Sequence, residues 1–481
     1  MKRLALLLCI AACAHQHITT QAARAQAEEA ALGTQPVIPV LEPSQVPLPR
    51  VSSLANGLVV WIVERPGDGI EAVRFVARGG ASADPDGKPG TGSLTAALME
   101  TGAAGRSQTE QTIAADALGA TLTVTATQDA LVVSASAMTV FLERTTALLA
   151  DVALRPNLSE AEWVRVRSRR EAQLLAERAE PVIAARRAFR RAAYGTGPLA
   201  WPPEGTAQSV KAMQLDDVRR FYATLAPRNC AVIAVGGAKA ADVLHALEQA
   251  FSHWNAAAPA LSAPSLDELP QAPPRLVLVD FPGKPQSVVI VGQPGVPRSS
   301  PDALALRAFN AALGGSFTSR LNQNLREKHG YSYGARSQFV FGLARGPFAA
   351  SSSVKTEVTG AALGEILGEL SRIVLTPLAP EELEKARALL AYELVGTLSH
   401  AQELAEAEQE IILGGLPPDE LRTTVSRLQA LTPESVLAAA QRALDPSRMT
   451  ITIAGDAGRV MPQLEPLHLP KPERRDVAGE R

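Results

Sequence analysis

Apolar residues recur along this chain in two rhythms. Short runs that alternate or stay apolar, at 58–63, 72–77, 121–127, 131–137 and 230–235, read as strands. The 121–127 and 131–137 runs flank Gln128-Asp129 and predict a β-hairpin. Between the strands, apolar positions spaced three and four apart predict helices over 93–100, 141–154, 215–224 and 240–251. Ser159-Glu160-Ala161-Glu162 is a capping signature opening a long Arg/Glu-rich helix to about residue 179. A Gly/Pro/Asp loop occupies 79–92.

The same order then returns. Strands are predicted at 276–279 and 287–291, a helix at 301–313, two strands around 342–346, and a helix at 359–374. Val152-Ala-Leu-Arg-Pro156 is echoed by Ile373-Val-Leu-Thr-Pro377, and the run ending at Gly236 by the one ending at Gly455, both about 220 residues on. Two landmarks at nearly one offset, in one element order, argue for a duplicated domain. The expected fold is α+β: two homologous domains, 50–255 and 275–468, each a mainly antiparallel sheet covered by helices. A Pro/Ala-rich linker at 256–274 joins them, and 469–481 is a tail.

Length and charge narrow the function. The chain has 481 residues, more than one core serves, and a net charge of −2, which gives no footprint for nucleic acid. Lys2 and Arg3 precede a short apolar run, and Ile10-Ala11-Ala12-Cys13 has the form of a lipobox, so 1–13 reads as a signal peptide with lipidation at Cys13. Cleavage after Ala25 is the alternative. Either way the mature chain is expected outside the cytoplasm, in the periplasm, and on the first reading it is a lipoprotein held to the membrane through a flexible tether over 14–49. Three cysteines make no disulfide framework, and Cys230, in an apolar run, reads as a buried thiol.

The most informative stretch is Arg320-Leu-Asn-Gln-Asn-Leu-Arg-Glu-Lys-His-Gly-Tyr-Ser-Tyr-Gly334. Leu321 and Leu325 give a helix a buried face, Gly330 stops it, and a β-prone run follows. Arg326 then sits near the helix end and Tyr333 on the next strand. A guanidinium and a phenol held together can grip a peptide carbonyl or a developing oxyanion. The plainer reading is a surface arginine and a half-buried tyrosine. The stretch resembles the Arg/Tyr motif of insulinase/pitrilysin-type zinc peptidases, the family of mitochondrial processing peptidase; Leu325, Arg326, Gly330 and Tyr333 carry the resemblance, which extends over about 49–467. It implies two halves forming a clam-like chamber. It also implies that Arg326 and Tyr333 contact substrate beside a zinc ion, and that extended peptide adds to the edge strand at 121–127.

The same family carries H-x-x-E-H, two zinc ligands and a general base on one helix. In this chain Ser93-Leu94-Thr95-Ala96-Ala97 fills those five places, with Ser93 and Ala97 where the histidines stand and Ala96 where the glutamate stands. Glu171 falls in the region of the third ligand, but one carboxylate is no metal site. Of the seven histidines (15, 17, 245, 253, 329, 400, 468), none forms H-x-x-x-H, and His329 adjoins the Arg/Tyr stretch. No G-x-S-x-G or Walker A loop occurs; Gly314-Gly315 ends a helix. The resemblance therefore implies a non-catalytic subunit that binds no metal itself and lends Arg326 and Tyr333 to a zinc-bearing partner for peptide hydrolysis. The other readings are a catalytically silent scaffold or peptide-binding protein, and an autonomous zinc peptidase with relocated ligands.

Overall fold

A computed structural model describes residues 42–261 and 274–479. The expected signal peptide, Cys13, most of the tether and residues 262–273 of the linker lie outside them. No helix among the described residues is long and apolar enough to cross a membrane.

The first half builds a six-stranded sheet in the order β1-β2-β6-β3-β5-β4. Its strands are β1 (Arg50–Ser53), β2 (Val59–Glu64), β3 (Ile70–Arg78), β4 (Thr121–Ala126), β5 (Ala130–Met138) and β6 (Cys230–Gly236). The second half repeats this with β7 (Arg275–Asp280), β8 (Gln286–Pro294), β9 (Ser332–Phe339), β10 (Pro347–Lys355), β11 (Thr450–Gly455) and β12 (Glu473–Arg475) in the order β12-β7-β11-β8-β10-β9. Each sheet has a parallel pair at the matching place, β2 with β6 and β7 with β11. The sheets differ at one edge. β1 enters antiparallel to β2, whereas β12, from the chain's end, runs parallel to β7. Just before β1 the chain is already docked: Val46 is buried against Leu394 and Val425 in what the sequence suggested was tether.

One face of each sheet is covered by helices of its own half. In the first half these include Thr91–Met99, Leu142–Leu154, Glu160–Ala176, Leu215–Tyr222 and Ala240–Phe251. Their counterparts are Ala303–Asn310, Thr359–Ile373, Pro380–Ser399, Pro433–Ala443 and Ala457–Leu464. The opposite faces are covered by exchange. Helix Pro181–Tyr194, from the first half, lays Ala184, Ala185, Ala188, Phe189 and Ala192 on Val277, Val279, Val288 and Ile290 of the second sheet. Helix Ala401–Gly414, from the second half, lays Ala401, Leu404, Ala405 and Ile411 on Trp61, Val63, Val76, Val132 and Ile233 of the first. Fully burying a Leu, Val or Ile contributes about 1.5–3 kcal/mol, so each docked face is a major part of the core. At Gly292 a side chain would collide with the Phe348 carbonyl and crowd the Phe189 ring, so glycine lets this helix approach.

The exchanged helices carry opposite charge. Pro181–Tyr194 holds Arg186, Arg187, Arg190 and Arg191; Ala401–Gly414 holds Glu403, Glu406, Glu408 and Glu410 and no Lys or Arg. Arginines of β3 receive the acidic helix: Arg74 donates to the Gln409 side chain at 3.0 Å, and Arg78 donates to the Ile412 carbonyl at 2.8 Å, near the helix's negative end. The hairpin tips also meet, where the Leu343 N–H donates to Asp129 at 2.9 Å.

Candidate functional site

In the second half, Ser319 precedes a short α-helical turn, Arg320–Asn322, that widens into a π-helix over Gln323–Lys328. The sequence suggested one regular helix here. π-Segments gather at functional sites because the extra residue per turn re-aims side chains. Leu321 and Leu325 are fully buried and anchor the segment. Gly330, at φ +63, turns the chain, and the Tyr331 N–H closes back on the Leu325 carbonyl at 2.8 Å. The Asn322 side chain accepts the Ala335 N–H at 2.8 Å, tying this segment to β9. The β9–β10 register slips beside Ser352 and Val354, leaving Tyr333 and Gly334 opposite Ser353; such a bulge re-aims a side chain.

These constraints bring Arg326 and Tyr333 together. The guanidinium carbon lies 5.2 Å from the Tyr333 ring centroid and 4.6 Å from that of Phe317. Each exposed cation–π contact contributes about 0.5–1 kcal/mol, enough to bias the guanidinium between the rings. Glu327 lies 3.3 Å from it. Tyr333 is 91% exposed and Phe317 66%, so the group faces solvent from the edge strand of its sheet. Phe317 was not singled out in the sequence. His329 stacks on Tyr331 at 4.8 Å with Glu365 3.7 Å away, and so belongs to a neighbouring cluster.

In the first half, the five degenerate motif residues lie on helix Thr91–Met99. Asp84 holds its N-terminus, accepting the Gly90 and Gly92 N–H groups at 2.6 and 2.7 Å; burial still pushes its carboxyl up to about 7. Leu94, Leu98 and Met99 face the core, and Ala96 is buried with them. Ser93, Ala97 and Glu100 share the partly open face. A hydroxyl and two methyl groups do not fit a zinc ion, which takes thiolate, imidazole or carboxylate ligands. Glu171 pairs with Arg167 of its own helix at 3.6 Å. Among the described residues, no three His, Cys, Asp or Glu side chains are grouped to hold a metal. Burial pushes the Cys230 thiol well above its ordinary range, which makes it an inert core side chain.

The sequence reading also passed over Arg170. It projects from Glu160–Ala176 and donates to the Ser93 hydroxyl at 3.0 Å and to the Glu204 carbonyl at 3.1 Å. At the far end of the open face, the Glu100 carboxylate accepts the Val124 N–H of edge strand β4 at 3.2 Å. The only sequence signal for this site was the Arg/Glu-rich helix beside Glu171.

Comparisons with known proteins bear on the family and the fold. Residues 59–207 match the family described as insulinase, peptidase family M16, and residues 212–390 match the peptidase M16 inactive domain. An uncharacterized zinc protease of Streptomyces coelicolor is 26% identical over 285 residues, which span 56% of this chain and 59% of that protein, under two thirds of its length. Among solved structures, a peptidase M16 inactive domain from Pseudomonas fluorescens is similar at 25% identity with a TM-score of 0.79, covering 85% of this chain and 98% of that one. A protease from Helicobacter pylori shares the fold at 19% identity with a TM-score of 0.81, covering 85% of this chain and all of that one.

Proposed function

Because this chain belongs to the insulinase-type peptidase family M16, as a member lacking the zinc motif, we propose that it is the non-catalytic subunit of a two-chain peptidase. The observation that carries this reading is the asymmetry between the halves. The motif positions hold Ser93, Ala96 and Ala97, while the half-buried Arg326 stands beside the exposed Tyr333 at the rim of the second sheet. In this reading a zinc-bearing homologue performs hydrolysis. Arg326 donates to a substrate carbonyl, Tyr333 lies alongside, and the nearby Phe317 ring helps hold the guanidinium in place.

The test is co-purification with a homologue carrying H-x-x-E-H, assayed on a quenched fluorescent peptide. Arg326→Ala is expected to lower kcat/KM about 100-fold or more while size-exclusion shows an intact heterodimer. Full activity in that variant would remove the pair from the mechanism. Elemental analysis of this chain alone should give near-zero zinc, and one tight zinc per chain would defeat the reading. By the same reading the chain is exported and membrane-anchored. Radiolabelled palmitate should enter the wild type and be absent from Cys13→Ala; equal labelling would exclude the lipid site.

A further inference from the structure

The family implies a metal in the first half that these residues do not fit, and a different cation stands at the same place. Arg170 reaches from the long helix to Ser93, the first of the degenerate motif positions, and bridges the two helices there. Three nearby arginines are neutralised: Arg165 pairs with Glu162, Arg167 with Glu171, and Arg187 with Glu177, while the adjacent Arg169 is exposed and its charge adds to the positive field at Arg170. Arg170 has only neutral acceptors, the Ser93 hydroxyl and the Glu204 carbonyl, and among the described residues no carboxylate lies within ion-pair distance of it. The charges of Glu204 and Glu177 reach it only from further off, and burial disfavours its charged form. A guanidinium has five N–H donors, and these bonds use two. A partly desolvated cation with free donors and no counter-ion is an incomplete ion pair, to which a carboxylate would add charge-assisted hydrogen bonds.

The surroundings give this site a direction. From Ser93 the open face runs past Ala97, whose methyl leaves room, to Glu100, whose carboxylate covers the Val124 N–H of β4. One end of the face is therefore cationic and the other anionic. A peptide lying along it is attracted by its carboxylate at the Arg170 end and repelled there at the Glu100 end. We propose that Arg170 replaces the lost metal as a fixed positive charge, and that the first half is a binding site for the carboxylate of a peptide. The proposal concerns this chain alone and does not rest on the pairing of Arg326 with a partner.

The experiment is fluorescence anisotropy on the mature chain without partner, in EDTA, with three fluorescein-labelled Ala/Ser/Leu decapeptides. One has a free C-terminus, one is its C-terminal amide, and one is the amide with an internal Glu. A carboxylate peptide should bind about tenfold or more tightly than the plain amide. Preference for the free acid assigns the C-terminal carboxylate, and preference for the Glu peptide assigns an acidic side chain. Arg170→Gln should abolish the discrimination, and Arg170→Lys, which keeps the charge and loses the fork, should retain part of it. Equal binding of acid and amide, no binding of either by the wild type, or unchanged discrimination in a folded Arg170→Gln chain would each overturn the proposal. Failure here leaves the heterodimer assay untouched, because that assay reads Arg326.

Discussion

The duplicated halves place the same two helices side by side and finish the contact differently. In the second half, Arg307 of Ala303–Asn310 meets Glu393 of Pro380–Ser399 at 3.1 Å, a matched ion pair beside a cavity of about 270 Å³ lined by Leu304, Phe341, Leu390 and Leu394. In the first half, the corresponding helices are joined by Arg170 and a hydroxyl, and the charge is left unmatched. A closed pair spends its donors internally, whereas an open one keeps them for a ligand. Loss of metal ligands in the first half therefore did not leave a blank surface. The second half instead concentrates its exposed chemistry at the sheet edge, in Phe317, Arg326 and Tyr333.

The strongest way to break this comparison is to separate the halves. Leu404→Asp and Ala188→Asp each place an unpaired charge under an exchanged helix and should cost about 3–5 kcal/mol. Because each helix belongs to one half and covers the other, both variants should lower a single urea transition. Separate transitions for the two halves would show that they do not depend on each other. A middle-sized effect is expected at Glu408, buried on the acidic helix with both oxygens unpartnered and its carboxyl pushed by burial from 4.5 up to about 8. The folded state holds this proton more tightly than the unfolded one. Its stabilising contribution is therefore complete below about pH 4.5 and falls by about 1.4 kcal/mol per unit until pH 8. Glu408→Gln should match the wild type at pH 4 and exceed it by a few kcal/mol at pH 8; parallel pH profiles would mean that Glu408 is not the source. The smallest effect sharpens the opening contrast. Arg307→Gln should lose no more than about 1 kcal/mol, as exposed pairs do, while Arg170→Gln should lose nothing or gain slightly. A larger loss at Arg170 than at Arg307 would mark it as a structural strut.

Much of this architecture was legible in the chain. The β-branched runs that became β2, β3, β5, β6, β8 and β11 are apolar because both sheet faces are covered, and their repeated order gave the duplication. The Leu321/Leu325 spacing and Gly330 were enough to place Arg326 near Tyr333. The exchanged helices escaped. An apolar stripe such as Ala401, Leu404 and Ala405 says that a helix is buried but not on which of two similar sheets. Arg170 escaped because its contact with Ser93 joins two helices that are remote in sequence. The π-turn and the β9 bulge depend on hydrogen bonds of Asn322 and Tyr331 that local pattern does not encode.

The exchange of helices also bears on biosynthesis. A ribosome making this chain finishes the first sheet at Gly236, yet the helix that covers its outer face ends only at Gly414. For the synthesis of the intervening stretch, Trp61, Val63, Val76, Val132 and Ile233 form a bare apolar surface. The nearest substitute in the nascent chain, Pro181–Tyr194, brings four arginines toward a sheet face already carrying Arg74 and Arg78. Like charge thus keeps the early helix from docking on the wrong sheet, and the acidic helix arrives later with the matching sign. Translation to Gly414 is the point at which this face of the first sheet can be covered, and shorter fragments, which leave it bare, are among those expected to need a chaperone.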